Sequence, residues 1–519
     1  MLTALRTDWR ARLRLLAARW LVDTDFYLDR YPDIRAAGID PVRHFAEHGL
    51  AVPIRAANAV MERAIIRGAP LLGLAALLLG TRRTDWVQCF VERYQYLACG
   101  NLGVEYRFAR WVARLLATVN PARVTLDPSD RDRILGKVLS VVRLEASAFP
   151  WLTVSEIDPP KRYCFDGPRL WGDSKPPSVH SVMLPALWCA TIRQASVFGS
   201  MQIAAHGHFL RYEPAADPNL SYSAGQYRHV ITCFSPRHDK VLARVPDRAA
   251  AHVDAAILLG GRCGNNHFHF LIEYLTKGYV IERAGLYEGL PMIVPDDLFP
   301  AQLEAIRLLF PARDLIAISA AQRLDVECLH IPSLMTYFPD AMEIADCEKE
   351  GLRHASLQWL RDRTLAALPP EPEHVDPVPR LYLSRRRGRN IVNAAEVEAD
   401  FIDHGFKSID PSGLTFAQQV RLFANATHVA GPVGAAFANT VFCKPGTAII
   451  HLGSRHARTS TLFQNLAAFA ECPCIRLISD RKIGDLARMN SNVQSLRQGS
   501  YEINQKSLRS LLHAWAPVR

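Results

Sequence analysis

Long apolar runs are missing from this 519-residue chain: the richest window, Ala69–Gly80, covers 12 residues and contains Pro70 and Gly73. A helix needs roughly 20 apolar residues to cross a bilayer, so no helical membrane span is expected. The first residues lack the uncharged core and small-residue cleavage site of a secretory leader. Met1–Trp20 instead carries five arginines among short apolar runs and reads as an amphipathic helix. Cysteine is sparse, with 11 scattered residues, which argues against a secreted disulfide scaffold and for a reducing cytoplasm. The one close pair, Cys472-Pro473-Cys474, lacks the two-residue gap of zinc or redox pairs and has no second pair to join it. No metal site is expected. No predicted helix concentrates basic residues with interleaved aromatics, so a nucleic-acid partner is not expected either.

What is present is an ordinary globular composition, 49% hydrophobic and 22% charged, on a length suited to several domains. Net charge is +10 with a sequence pI near 9.1, a balance that favours anionic partners. Residues 1–125 show apolar positions at helical spacing, as in Trp86, Phe90, Tyr94 and Leu97, and predict a helical appendage. Residues 126–368 open with β-rich runs such as Val197–Ile203 and His229–Phe234, then predict a strand at Ala255–Gly260, a helix over Phe268–Ala284 and a strand at Pro291–Val294. Five prolines between Pro369 and Pro379 predict a linker over 369–379. Residues 380–519 predict a second α/β half. It starts with a strand at Arg380–Leu383, a helix capped by Asn393 with Glu396, and another capped by Thr415 with Gln418.

Three features carry candidate chemistry. Thr427–Ala430, the loop Gly431-Pro432-Val433-Gly434, the helical run Ala435–Phe442 and the strand Thr447–Leu452 form a compact βαβ unit. Its glycines and helix N-terminus favour an anion such as phosphate. Arg385, Arg386, Arg387 and Arg389 follow the strand Arg380–Leu383 at its carboxyl end, where open α/β sheets bind ligands, and Arg385 is the foremost diphosphate partner. Finally, His269 and Glu273 lie four apart at a helix start, in Asn265-Asn266-His267-Phe268-His269-Phe270-Leu271-Ile272-Glu273. That spacing sets an imidazole beside a carboxylate, which suits general base work and equally a capped helix with a satisfied core histidine.

In this order the blocks resemble glycosyltransferase family 61. Asn266-x-x-His269-Phe270-Leu271-Ile272-Glu273 is similar to the family's Asn-Tyr-x-His-Trp-Leu-x-Glu block, and Ile293-Val294-Pro295-Asp296-Asp297 falls at its next strand and loop. Leu381-Tyr382-Leu383-Ser384-Arg385 resembles its strand ending in Ser-Arg, and Gly431–Asn439 with Phe442 and Pro445-Gly446-Thr447 continues the series. The family usually has Gly-x-His-Gly-Ala where this chain has Gly431-Pro432-Val433-Gly434-Ala435, and tends to an acidic residue where it has His451. The resemblance spans roughly 255–455 and implies two Rossmann-like halves of GT-B type, here preceded by the helical N-terminal region. It implies an inverting transfer from a nucleotide sugar, UDP-linked, without a bound metal or other cofactor, to a hydroxyl of a glycan or lipid-linked acceptor in bacterial capsule or exopolysaccharide biosynthesis. By it, His269 is the base with Glu273 orienting it or serving in its place, Asn266, His267 and Asp296 lie on the acceptor side, and Ser384, Arg385, Gly431, Val433, Gly434, Ala435 and Asn439 hold the donor. Asp25-Phe26-Tyr27 through Tyr31-Pro32-Asp33, with His44-Phe45 and His48, is similar to a short helical module of bacterial polysaccharide-assembly enzymes, and its histidines read as packing. The expected setting is the cytoplasm with peripheral contact at the inner membrane. The alternative is a scaffold subunit of a polysaccharide assembly complex that keeps this fold and has lost donor binding through Val433 and His451.

Overall fold

The computed structural model describes part of residues 15–46 and, apart from short interruptions, residues 137–213, 231–338, 350–385, 391–479 and 501–517. The expected helical region beyond 46 and the apolar window Ala69–Gly80 lie outside the described residues. Within 15–46, the helix Thr24–Arg30 and the turn Pro41–His44 close a small core around Tyr27, Ile34 and Phe45. Tyr27 Oη bonds His44 Nδ1 at 3.0 Å, so His44 serves packing there, while His48 lies outside the described residues.

The rest is a mixed α/β fold on two large sheets. The first is eleven-stranded and includes β1 (Leu187–Phe198), β2 (Ala251–Leu258), β3 (Met292–Pro295), β4 (Leu315–Ile318) and β5 (Arg323–Pro332). Order β4-β3-β2-β5 is parallel, and β1 then joins β5 antiparallel through the pairs Arg323↔Phe198 to Pro332↔Cys189. Beyond β1 the meander of Gln202–Ala205, His208–Arg211, Lys137–Arg143, Lys240–Ala243 and Ile231–Ser235 extends the same sheet. The β-rich opening segment is therefore not a separate layer, because β1 is long enough to pair on both edges. The short apolar run of β3 is buried between β2 and β4, the pattern of a parallel strand covered by helices, while β4 forms the sheet edge.

The second sheet is five-stranded and wholly parallel. Its strands are β6 (Arg380–Leu383), β7 (Lys407–Ile409), β8 (His428–Pro432), β9 (Ala448–Gly453) and β10 (Cys474–Ile478), in the order β7-β6-β8-β9-β10. The Thr415–Gln418 capping box forms at the start of helix Phe416–Asn425. Asn393 stands at the N-cap of helix Ala394–Asp403 but makes no cap bond. Its amide instead exchanges two hydrogen bonds with the backbone of Ile503 at 2.9 and 3.0 Å, so it docks the C-terminal segment.

The two sheets share a core. One apolar cluster runs from Ile257 and Phe270 through Phe310 and Leu360 to Phe416, Phe437 and Leu466. Glu304, on the helix Pro300–Leu309, accepts the N–H groups of Phe416 and Ala417 at 2.8 and 3.2 Å and so caps a helix of the other half. Of the predicted linker, residues 371–377 lie outside the described residues. Its ends are pinned, since Pro370 O accepts from Arg421 and Pro379 O accepts the N–H groups of Thr427 and His428. Among the described residues no helix is long and apolar enough to cross a membrane.

Candidate active site

At the carboxyl end of β2 the chain turns through residues 259–266 into the segment carrying His269. The predicted single helix over Phe268–Ala284 is in fact two pieces. His269–Tyr274 is a π-helical turn, closed by Leu275 N donating to Phe270 O at 2.9 Å, and an α-helix follows over Lys277–Arg283. Such widened turns recur at functional sites because the extra residue redirects side chains. Here Phe270, Leu271, Ile272, Glu273 and Tyr274 are buried, while His269 is the member of the turn with a partly exposed side chain, 13%.

His269 Nδ1 lies 2.6 Å from Glu273 Oε2, and Thr336 Oγ1 donates to Glu273 Oε1 at 2.7 Å. An ionised carboxylate only accepts, so the proton of a neutral imidazole belongs on Nδ1 and Nε2 becomes the basic nitrogen. Glu273 is fully buried, with both oxygens engaged. Its place is behind the histidine, outside the lining of the adjoining cavity. Phe268 and Phe338 flank the imidazole at centroid distances of 5.4 and 6.0 Å.

His269 opens on a cavity of about 230 Å³ that draws on both sheets. Asn266, Arg385, Val433 and Ala435 line it. Arg385 Nη1 donates to Val433 O at 3.3 Å, and burial lowers the Arg385 pKa from its ordinary value, with Tyr501 acting against that. A guanidinium stays charged through such a shift. A Cβ on Gly434 would lie 2.9 Å from Arg385 Nη1, so the missing side chain makes room for the guanidinium. The run Ala435–Phe442 is 3-10 rather than α-helical.

Other expected site residues serve the framework. Gly431 has φ +152°, and a Cβ there would stand 2.8 Å from Leu383 O, so this glycine lets β8 lie against β6. Asn439 is fully buried, accepts from His267 Nε2 at 3.0 Å and donates to Gln419 Oε1 at 3.0 Å. His267 and Asn439, expected on opposite substrates, are bonded to each other and tie the two halves together. Burial lowers the His267 pKa, and the Asn439 bond opposes that. Ser384 N donates to Ile409 O and Asp296 N to Ile318 O, and neither residue lines the cavity. His451 is also outside it, fully buried and edge-on to Phe437 at 4.4 Å.

Sequence reasoning missed several wall residues: Phe338, Glu350, Ser454, Ser460, Phe463 and Tyr501. All but Phe463, in the first turn of the helix Leu462–Phe469, sit on connections between elements, where no periodicity marks a function. Glu350 caps the helix Leu462–Phe469, accepting from Leu462 N and Thr461 Oγ1, each at 2.8 Å. That helix N-terminus already holds an internal carboxylate, which leaves Arg385 as the cation of the cavity wall. Among the described residues no three His, Cys, Asp or Glu side chains are grouped to hold a metal ion.

Residues 267–450 match the family model of glycosyltransferase 61. Over that stretch, about a third of its length, the chain is similar to glycosyltransferase 61. The match starts two residues before the π-turn, crosses the predicted linker and ends in β9, so it takes strands from both sheets. Much of the cavity's far wall, including Ser454, Ser460, Phe463 and Tyr501, lies beyond the matched domain. No curated protein matches the chain.

Proposed function

We propose that this protein is an inverting glycosyltransferase that moves a sugar from a nucleotide-sugar donor, UDP-linked, to a hydroxyl of a glycan or lipid-linked acceptor. The observation that carries the reading is the meeting, in one cavity lined in part by the stretch that matches glycosyltransferase 61, of a carboxylate-backed histidine and a half-buried arginine. His269 Nε2 takes the proton of the acceptor hydroxyl as that oxygen attacks the anomeric carbon. The bond from that carbon to the diphosphate oxygen breaks, and the electron pair leaves with the nucleoside diphosphate. Arg385 faces the charge that develops on the leaving group, where a fixed cation in a water-poor site counts most. Glu273 holds the imidazole and stabilises its protonated form. These residues supply the counter-charge and the base without calling on a metal.

The basic surface suits a lipid-diphosphate-linked acceptor at the inner face of a membrane, and bacterial capsule or exopolysaccharide assembly in the cytoplasm is the setting we assign. The test is thermal unfolding of the whole protein with millimolar UDP, GDP or CMP, each with EDTA and with manganese. A ligand of the folded state raises the melting temperature by mass action. An EDTA-resistant rise with one nucleotide, followed by sugar transfer from that donor, is the expected result. Val433 puts an apolar side chain in the donor wall and favours the scaffold reading. No rise with any nucleotide decides for the scaffold.

A further inference from the structure

Behind the His269–Glu273 pair lies a third ionisable group that the proposed mechanism does not use. Lys277 follows Glu273 by four residues, at the start of the helix Lys277–Arg283, and its side chain is fully buried. Its Nζ donates to Leu258 O and Gly260 O, each at 3.0 Å, at the point where β2 gives way to the loop leading to Asn266. The rings of Tyr274 and Tyr212 stand 5.3 and 5.7 Å from the ammonium. Two buried carboxylates interact electrostatically with it, Glu273 from its own segment and Glu213 from the segment after His208–Arg211.

We infer that Lys277 is a positioning residue of this site: its clamped ammonium fixes the end of β2 against the π-turn and keeps Glu273 ionised behind His269. The inference rests on the reading of His269 as the base. Buried carboxylates without a cation take up protons, because the interior penalises the charged form. A protonated Glu273 donates as well as accepts, and can no longer hold the His269 proton on Nδ1. Lys277 opposes that uptake. Burial lowers its own pKa to about 7, with Glu213 and Glu273 pulling the other way, so it is charged in the acid range where the pair would gain a proton.

The test needs no substrate. Side-chain NMR of ¹⁵N-histidine in the whole protein, with the His269 signals assigned by their loss in His269→Gln, follows the titration of the pair directly. In Lys277→Met the pair should take up its proton at a pH higher by roughly half a unit or more, as loss of a nearby buried charge requires. Lys277→Arg, which keeps the charge, should return the wild-type midpoint. If the Met variant does not fold, Lys277→Gln, which keeps an N–H donor for the two carbonyls, is read in its place. An unchanged midpoint in the neutral variant, or an Arg variant that behaves like it, overturns the assignment. Transfer that survives in His269→Ala would instead remove the base reading and leave the titration result standing.

Discussion

The two walls of the cavity handle buried charge in opposite ways. On the wall built after β2, charges come in compensating sets: Glu273 receives His269 and Thr336, and the buried Lys277 interacts with the charges of Glu273 and Glu213. On the wall built after β6, β8 and β9, the half-buried Arg385 faces the cavity, the carboxylate of Glu350 is taken up by Ser460, Thr461 and Leu462, and behind the lining the buried Arg476 helps keep His451 neutral. A balanced wall can move a proton without leaving a net charge behind. A cation-biased wall favours an arriving anion. On the proposed reading the first wall transfers the proton and the second receives the diphosphate, and each proposal can be broken separately.

The largest effect is expected on the balanced wall. His269→Ala should lower transfer by about 10²–10⁴-fold, the usual worth of a positioned general base, with the melting temperature little changed. Initial rates with the donor selected by the melting experiment decide it. A smaller loss would move the base elsewhere. Glu273→Gln keeps the shape and removes the charge, so it should also slow transfer while leaving nucleotide affinity as it was. A weaker nucleotide affinity in that variant would mean the walls are not divided by task.

On the cation-biased wall Arg385→Ala should weaken nucleotide binding by about 1.5–3 kcal/mol, the scale of a charged hydrogen bond, or roughly 10–100-fold in Kd. Calorimetry reads it, and an unaltered Kd would detach Arg385 from the donor. Gly431→Ala tests the support beneath this wall. Its φ of +152° and the closeness of Leu383 O should cost about 1–3 kcal/mol of stability. Denaturant unfolding checks this, and a neutral substitution would show that β6 and β8 can part at little cost.

Much of the framework was legible in the sequence. Apolar runs and turn residues placed β6, β8 and β9 within a residue or two, and the Thr415–Gln418 cap formed as read. Asn393 misled because a side-chain amide serves a cap or a distant strand equally well, and the choice fell to Ile503, 110 residues away. The π-turn was invisible because His269 and Glu273 keep helical spacing in the sequence whichever turn they occupy. His267 and Asn439 carry the chemistry expected of ligand residues, yet they satisfy each other across 172 positions. Glu350 and Tyr501 reach the cavity from connecting segments, and only the three-dimensional path of the chain brings them there.

The smallest expected effect sharpens the contrast between the walls most directly, because it concerns charge alone. His451 is fully buried, its Nε2 has no hydrogen-bond partner, and Nδ1 lies 3.5 Å from Cys474 Sγ. Burial, with Arg476 adding to it, holds its pKa well below the ordinary 6.5. Above pH 6.5 the ring is neutral in both the folded and the unfolded chain and contributes no pH dependence. As the pH falls below 6.5 the unfolded chain gains a proton that the folded one refuses, so stability drops by up to about 1.4 kcal/mol per pH unit. His451→Leu removes that proton uptake and places an apolar side chain beside Phe437 and Phe463. Melting curves of the two proteins should keep a constant separation from pH 8 to 6.5 and then shift relative to one another toward pH 5, in favour of the leucine variant. Curves that stay parallel throughout would mean that the cation-biased wall accepts a further positive charge, and the case for an anion bound there would lose its electrostatic ground.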